Sequence, residues 1–417
     1  MCAIRVTCRA PLLKPTDTHE NRVVSYGLGA PMQMSDRTAV VFLNRRLSSS
    51  SVPDFEAGND AVVFEDADQI DTARAIPINR NATGRHPRDG RPVTFVKYPV
   101  DGGFVPLDAR LPDGSPHPHA GTGFGTSVVL SFPPELGDVW SDKVDRAPQV
   151  ELMQFNFDGT HFRVEQSEIL RGSDLVDGWS VYNGVMRNAV PEGTDLLMAT
   201  CLARDNGKAA SGVGRWRRGA DGWRPTEFMQ ATPEDGSCEP SLVRARDGAL
   251  LLAVRGGTDA ECPRLWRSVD NGAHWDLVRD FVEIQPDTPL SINKTVSGEM
   301  FVAGNPRCDL RRDPQGRSLM RCWLRDTVSL WPLSEDGREI GERVDLLRAV
   351  ESFGPTEPAD GPIPNLWTVD HPSGGIMRLA DSALHSLLFI RVMTIGELTL
   401  NMNPTAYTGC RAFECGG

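Results

Sequence analysis

Ser268-Val269-Asp270-Asn271-Gly272-Ala273-His274-Trp275 is the stretch from which the fold can be read. A serine and an aspartate two residues apart can each accept hydrogen bonds from the backbone amides of a tight turn. The Asn-Gly step that follows supplies residues that tolerate positive φ. The closing tryptophan offers a large apolar face to a neighbouring layer. Weaker copies lie on both sides. Phe155-Asn156-Phe157-Asp158-Gly159 and Trp216-Arg217-Arg218-Gly219-Ala220-Asp221-Gly222-Trp223 precede it, and Trp331-Pro332-Leu333-Ser334-Glu335-Asp336-Gly337 follows. The spacing of roughly 50 to 65 residues is that of a four-stranded unit repeated around a ring.

Each copy is preceded by a short apolar run bounded by Gly or Asp. These runs are Thr38–Leu43, Asp195–Thr200, Ala249–Val254, Glu299–Ala303 and, near the end, Leu384–Ile390. They read as inner strands buried on both faces. The only weak helical pattern lies around Glu339–Val350. The expected fold is all-β, a single β-propeller over residues 1–417 with about seven four-stranded blades, six being the alternative. The stretch from Phe55 to Asp113, rich in Asp, Arg, Pro and Gly, reads as a long loop insertion.

Composition excludes several classes. The 417 residues carry 44 basic and 56 acidic side chains, and 44 − 56 gives −12. With no basic stretch to meet a phosphate backbone, nucleic acid is not an expected partner. No apolar run approaches the ~18 residues of a membrane span. No apolar segment follows Met1–Arg5, so no signal peptide is read. The chain is cytoplasmic as it stands, or secreted or periplasmic if a leader was removed. Nine cysteines without a CxxC pair read mostly as buried thiols. Cys262, Cys308 and Cys322 with a histidine are a candidate zinc site. Structural zinc or calcium is thus open, and no cofactor is required for the chemistry expected below.

The Ser268–Trp275 segment matches the S-x-D-x-G-x-x-W pattern of the Asp-box, and here the chain resembles the sialidase superfamily. In that family the box is a folding element at the periphery. Glu239-Pro240-Ser241-Leu242, followed by Asp247–Leu251 and Arg255, looks like the family's pattern of a glutamate and a strand-end arginine facing the central pocket. An arginine ending an apolar strand binds an anion or forms an ion pair, and Glu239 is the available partner. Ser115-Pro116-His117-Pro118-His119 places two histidines two residues apart, which in an extended segment point the same way. This loop resembles the seven-bladed propeller polysaccharide lyases of the ulvan-lyase and rhamnosyl-glucuronate-lyase type. The resemblance implies His117 or His119 as the base and Arg217 as the arginine on the substrate carboxylate. Tyr182 or the second histidine would then be the acid. His371 and Arg391, in a late polar cluster, are further substrate-binding candidates, and Lys294 is a weaker one. Alternatively, the last cluster serves ring closure with the N-terminal strand.

Three functions follow. The first is β-elimination on a uronate-containing, acidic oligo- or polysaccharide, which needs a base, cations on the carboxylate and an acid. The second is an exo-glycosidase of sialidase type, with Glu239 and Arg255 at its centre, although Gly29-Ala30-Pro31 stands where that family carries an arginine. The third is a non-catalytic glycan-binding propeller. Convergence of His117, His119, Arg255 and Arg391 in one cavity separates the enzymes from the binder.

Overall fold

In the computed structural model the described residues are 3–6, 10–13, 23–47, 58–65, 74–86, 89–97, 100–134, 145–175, 181–182, 189–203, 209–256, 262–285, 290–294, 298–307, 327–348, 367–376, 386–394 and 407–416. The chain starts with β1 (Ala3–Val6) and β2 (Ala10–Leu13), which belong to the last sheet. The first sheet is β3 (Val23–Gln33), β4 (Ala39–Leu47), β5 (Asn59–Phe64) and β6 (Arg74–Asn79). The second holds β7 (Ala82–Arg85), β8 (Pro92–Lys97), β9 (Asp101–Val105), β10 (Thr122–Phe132), β11 (Asp145–Phe157) and β12 (Phe162–Arg171). After a single helical turn, α1 (Gly172–Leu175), the third comprises β13 (Val181–Tyr182), β14 (Ala189–Glu192), β15 (Asp195–Ala203), β16 (Ala209–Gly219) and β17 (Gly222–Gln230). The fourth is β18 (Cys238–Arg244), β19 (Leu250–Arg255), β20 (Arg264–Ser268) and β21 (Asp276–Asp280). The fifth is β22 (Ser291–Lys294), β23 (Met300–Gly304), β24 (Thr327–Leu333) and β25 (Val344–Arg348). The sixth is β26 (Trp367–Ile376), β27 (Ser386–Thr394) and β28 (Tyr407–Gly416), completed by β1 and β2 pairing β28.

The architecture is all-β and propeller-like. One strand from each sheet touches its counterparts in the neighbouring sheets, and these contacts form a circuit; β9 pairs β10 beyond β8, and β14 pairs β15 beyond β13, each continuing the first pairing edge of its sheet. β3 meets β9, β9 meets β14, β14 meets β18, β18 meets β22, β22 meets β26, and β26 returns to β3. No seventh sheet occurs among the described residues, and the circuit closes with six. Dividing length by repeat interval overcounts because connections between sheets differ in length. The N-terminal strand pairs the C-terminal one, Ala3 opposite Gly416 and Val6 opposite Phe413, so the two ends close one sheet.

Two sequence expectations are corrected here. The stretch 55–113 is not a loop insertion, for it holds β5 to β9. Its apolar signal, Ala61-Val62-Val63-Phe64, is buried, and so are the charged Asp60, Lys97 and Asp101, whereas Arg74, Pro77, Arg85 and Pro92 lie on exposed faces. The weak helical pattern at 339–350 yields β25, since two turns of amphipathic period carry little weight against pairing along a sheet edge.

The core is a set of layers between adjacent sheets. Phe124 of the second sheet stacks on Trp216 of the third, ring centroids 3.8 Å apart. Trp223 and Leu196 share that layer. Leu197, Leu242, Leu250 and Met229 fill the next, with Trp275 packed against it. A buried polar tie joins the first two sheets. Lys97 Nζ lies 3.2 Å from Glu151, which also accepts hydrogen bonds from Asn79 Nδ2 and Ser167 Oγ at 2.7 Å. Buried charges persist only when satisfied in this way.

Because neighbouring strands run antiparallel, every sheet has two unlike ends. One carries the connections from first to second and from third to fourth strand, and it is termed the turn end. The other carries the second-to-third connection and the passage to the next sheet, and it is termed the link end.

Candidate functional site

At the link end of the fourth sheet, Cys238 pairs Arg255 and Pro240 pairs Val254, leaving Glu239 as a bulge between them. Its φ is 51°. That left-handed conformation is costly for a residue with a Cβ, and bulges re-aim side chains beside functional sites. The bulge turns Glu239 onto Arg255, with Oε1 2.9 Å from Nη1. Both side chains are partly buried, 13% and 26% exposed. The sequence brought these two residues together correctly.

A second pair, not foreseen in the sequence, lies at the same end. Arg264, which opens β20, holds Asp235 at 2.9 Å and Asp280 at 3.6 Å. The segment bearing Asp235 is fixed from below: Ser211 Oγ donates to the Ser237 carbonyl at 2.9 Å, and Ser211 N donates to Thr232 Oγ1 at 2.9 Å. Ser241 Oγ donates to the Ile292 carbonyl and accepts from its amide, locking β18 to β22. Beside Glu239, the Cys238 thiol and burial together push the Cys201 thiol well above its usual pKa, so it stays protonated at neutral pH.

The two histidines lie elsewhere. His117 sits in the loop from β9 to β10, at the turn end of the second sheet. It is buried, and its Nδ1 accepts a hydrogen bond from the His119 amide at 3.1 Å. An amide can only donate, so Nδ1 carries the lone pair and Nε2 carries the hydrogen. Nε2 donates to the Gly193 carbonyl at 3.1 Å. No ring nitrogen is left to take a substrate proton, which corrects the reading of His117 as a base. His119 lies edge-on to Trp223 and to His117, with centroids 5.6 and 5.7 Å away. Burial first, then Arg218 and His117, hold its pKa below the usual imidazole value.

Arg217, the expected carboxylate clamp, is also at the turn end. It forms a two-pronged pair with Asp195, 2.9 and 3.1 Å, and holds that carboxyl below its usual pKa. Arg244 ties this end to the Ser268–Trp275 turn, through bonds to Glu192 and to Asn271. Glu239 and Arg255 are at the far end of β18, whose seven residues span ~20 Å. The expected convergence of His117, His119 and Arg255 in one cavity therefore does not occur, and both enzyme readings lose the support that convergence would have given; Arg217 lies with the histidines rather than with Arg255.

By backbone register Tyr182 heads the third sheet at the link end, opposite Leu202. Arg391 lies opposite Asp370 and Thr408, and His371 falls in a bulge between Asp370 and Ser373. Lys294 donates to the Arg244 carbonyl at 2.6 Å at the turn end, and burial lowers its pKa. Cys308 and Cys322 lie outside the described residues. Among the described residues no cluster of three or more His, Cys, Asp or Glu could hold a metal, and no helix is long and apolar enough to cross a membrane.

No family model and no curated protein matches the chain. Solved structures do. The Hadza microbial sialidase Hz136 superposes with a TM-score of 0.58 at 13% identity, over 97% of this chain and 68% of that one. A Trypanosoma rangeli sialidase in complex with the inhibitor DANA gives 0.54 at 13%, over 97% and 59%. A protein of unknown function from Dyadobacter fermentans gives 0.56 at 12%, over 99% of both chains. An α-L-arabinofuranosidase from Fusarium graminearum gives 0.50 at 10%, over 97% of both. This chain thus spans about three fifths of the Trypanosoma enzyme. At these identities the likeness concerns the fold, which is that of the sialidase-like β-propellers.

Proposed function

We propose that the chain is a glycan-processing enzyme of the glycoside hydrolase kind, working at the link end around Glu239 and Arg255. The observation that carries this reading is the left-handed bulge that turns Glu239 onto Arg255 at the mouth of adjacent inner strands. A glutamate held in an unfavourable backbone conformation at a partly open end is easier to account for by use than by stability. The solved structures of like fold include sialidases and an arabinofuranosidase, and this favours a carbohydrate as ligand.

Cleaving a glycosidic bond requires a proton for the leaving oxygen and a base or nucleophile for the anomeric side. In this reading Glu239 supplies the carboxylate and Arg255 orients it. Asp235, four residues earlier and fixed by Arg264, is the second carboxylate available at this end. Tyr182 is a phenol on the neighbouring sheet and the alternative partner. The β-elimination reading has no comparable support, because its base and its clamp lie at the turn end, away from Arg255.

The test is release of reducing ends from an array of oligosaccharides by the wild-type chain and by Glu239→Gln. A loss of ~100-fold or more in the variant, with its circular dichroism unchanged, supports the reading. Products that absorb as unsaturated uronates establish elimination instead. Binding without cleavage leaves a glycan-binding propeller.

A further inference from the structure

We infer that Cys201 and Cys238 are the two halves of a reversible disulfide site, and that closing it displaces the adjoining Glu239 bulge. The pairing of the two sulfurs stands on the structure alone. Its effect on cleavage rests on the hydrolase reading.

The two cysteines come from adjacent sheets. Leu197, Ala199 and Cys201 alternate along β15 and so share one of its faces. Leu197 and Ala199 pack there with Leu242 and Val254 of the fourth sheet. Cys201 continues that face toward the link end, where β18 begins with Cys238. Its Sγ lies 4.0 Å from the Ser237 carbonyl oxygen. Ser211, opposite Cys201 on β16, donates to the same carbonyl at 2.9 Å. Cys238 is the next residue. It packs against the apolar cluster that contains Cys201, and its thiol is in hydrogen-bonding contact with the Cys201 thiol.

The two thiols are unlike. Cys201 is buried and Cys238 is partly exposed. Contact with the Cys238 thiol, and then burial, keep Cys201 protonated at neutral pH. Cys238 is therefore the sulfur that a reagent reaches first. The oxidant is a small disulfide of the glutathione kind. The Cys238 thiolate attacks one of its sulfurs, and the first small thiol leaves. Cys201 then gives up its proton, attacks the Cys238 sulfur and expels the second small thiol. The protein thiols lose two electrons and two protons, and the small disulfide gains both. A thiol reductant runs the steps backwards.

Closing the bond replaces a non-bonded contact between sulfurs by one of ~2 Å. On its other side Cys238 is held by pairing with Arg255. Between Cys238 and Pro240 the ladder is already broken by the bulge, and Glu239 sits there at a φ of 51°. This strained point yields most easily. Drawing Cys238 toward β15 thus shifts Glu239 against Arg255.

The experiment treats the folded full chain with glutathione disulfide, then with a thiol reductant. Non-reducing peptide maps, thermal midpoints and glycan cleavage are followed at each stage. The expected map joins the Cys201 and Cys238 peptides, and the linked chain melts higher. Cleavage is expected to fall at least ~10-fold and to return on reduction, since small displacements of a reacting group are costly. Cys201→Ser is expected to hold one glutathione on Cys238, which shows the entry thiol. Cys238→Ser keeps the other cysteines and is expected to be insensitive to the oxidant, each variant being measured against its own reduced state. A map without the Cys201–Cys238 link would overturn the inference and leave the hydrolase reading standing. So would a linked chain with unchanged cleavage, or a Cys238→Ser variant as sensitive as the wild type. If the reduced chain cleaves no glycan, the hydrolase reading falls. The link and the raised midpoint would then support the disulfide site, and their absence would overturn it.

Discussion

At position 239 a glutamate occupies backbone space that glycine enters freely. The penalty for a Cβ in that region is ~1–2 kcal/mol, and the Arg255 contact offsets part of it. Glu239→Gly and Glu239→Ala both lack the carboxylate, so their difference isolates the backbone. The glycine variant is expected to be more stable by ~1 kcal/mol in urea unfolding, with both inactive. Equal stabilities would mean the left-handed bulge relaxes once the carboxylate is gone. His117 belongs to the opposite kind of residue. Its ring bridges the His119 amide and the Gly193 carbonyl. His117→Ala is expected to destabilise by ~1–3 kcal/mol, because both partners lose their bond inside the protein. Activity per folded molecule should stay within about twofold, a measure of positioning rather than proton transfer. His119 titrates below the usual imidazole value because burial penalises its charged form. A depressed native pKa means the unfolded chain binds the proton more readily. Its contribution is therefore complete above the ordinary imidazole pKa and is lost as pH falls through the lower native value. His119→Gln should flatten that limb of the stability profile, which unfolding midpoints measured across weakly acidic pH would reveal.

The turn between third and fourth strands is the element that repeats. In the Ser268–Trp275 copy, Ser268 Oγ accepts from the Gly272 amide at 2.8 Å and donates to Asp270 at 2.8 Å. Asp270 also accepts from the His274 amide at 2.9 Å, which together with the His274 ring holds its carboxyl far below the usual range. The weaker copies solve the same problem with fewer parts. Asp158 accepts the amides of Thr160 and His161, and Ser334 accepts that of Glu339. Gly159, Gly222, Gly272 and Gly337 all have positive φ. At Gly272 φ is 97°, and an added Cβ would lie 2.8 Å from the Met229 sulfur of the neighbouring sheet. Gly272→Ala is expected to cost ~1–3 kcal/mol, read as a lower unfolding midpoint. A neutral result would mean the turn is held by its side-chain bonds alone. Because this turn faces away from Glu239, the variant's activity should follow its folded fraction.

On the scale of the molecule, the ring is closed by pairing its two termini. β1 and β2 cover the free edge of β28. Deleting residues 1–13 is expected to lower the thermal midpoint and to promote association through the exposed edge. Light scattering during a melt would detect this, and unchanged behaviour would place the closure elsewhere. The circuit also fixes the polarity of the molecule. Once all sheets point the same way around the axis, each loop belongs to one end or the other. The His117–His119 loop and Arg217 share the turn end with the Ser268–Trp275 turn, whereas Glu239, Arg255, Asp235 and Arg264 share the link end.

Local patterning by itself determined the repeat. Ser268, Asp270, Gly272 and Trp275 specify a turn through bonds and φ values that lie within eight residues. The runs at Ala249–Val254 and Glu299–Ala303 read as buried strands, and Leu250–Val254 and Met300–Ala303 are buried. The Glu239–Arg255 pair was also legible, because a charged residue ending an apolar strand must find a partner nearby. The number of sheets was not legible, since connection lengths vary and circular closure depends on contacts between distant strands. Nor was the separation of His117 from Arg255. Sequence spacing tells which residues share a face of one strand, but the end of the molecule they occupy follows from strand direction. The pairing of Arg264 with Asp235 was settled by tertiary structure for the same reason. They lie on different segments, and only folding brings the guanidinium within 2.9 Å of the carboxylate whose charge it cancels.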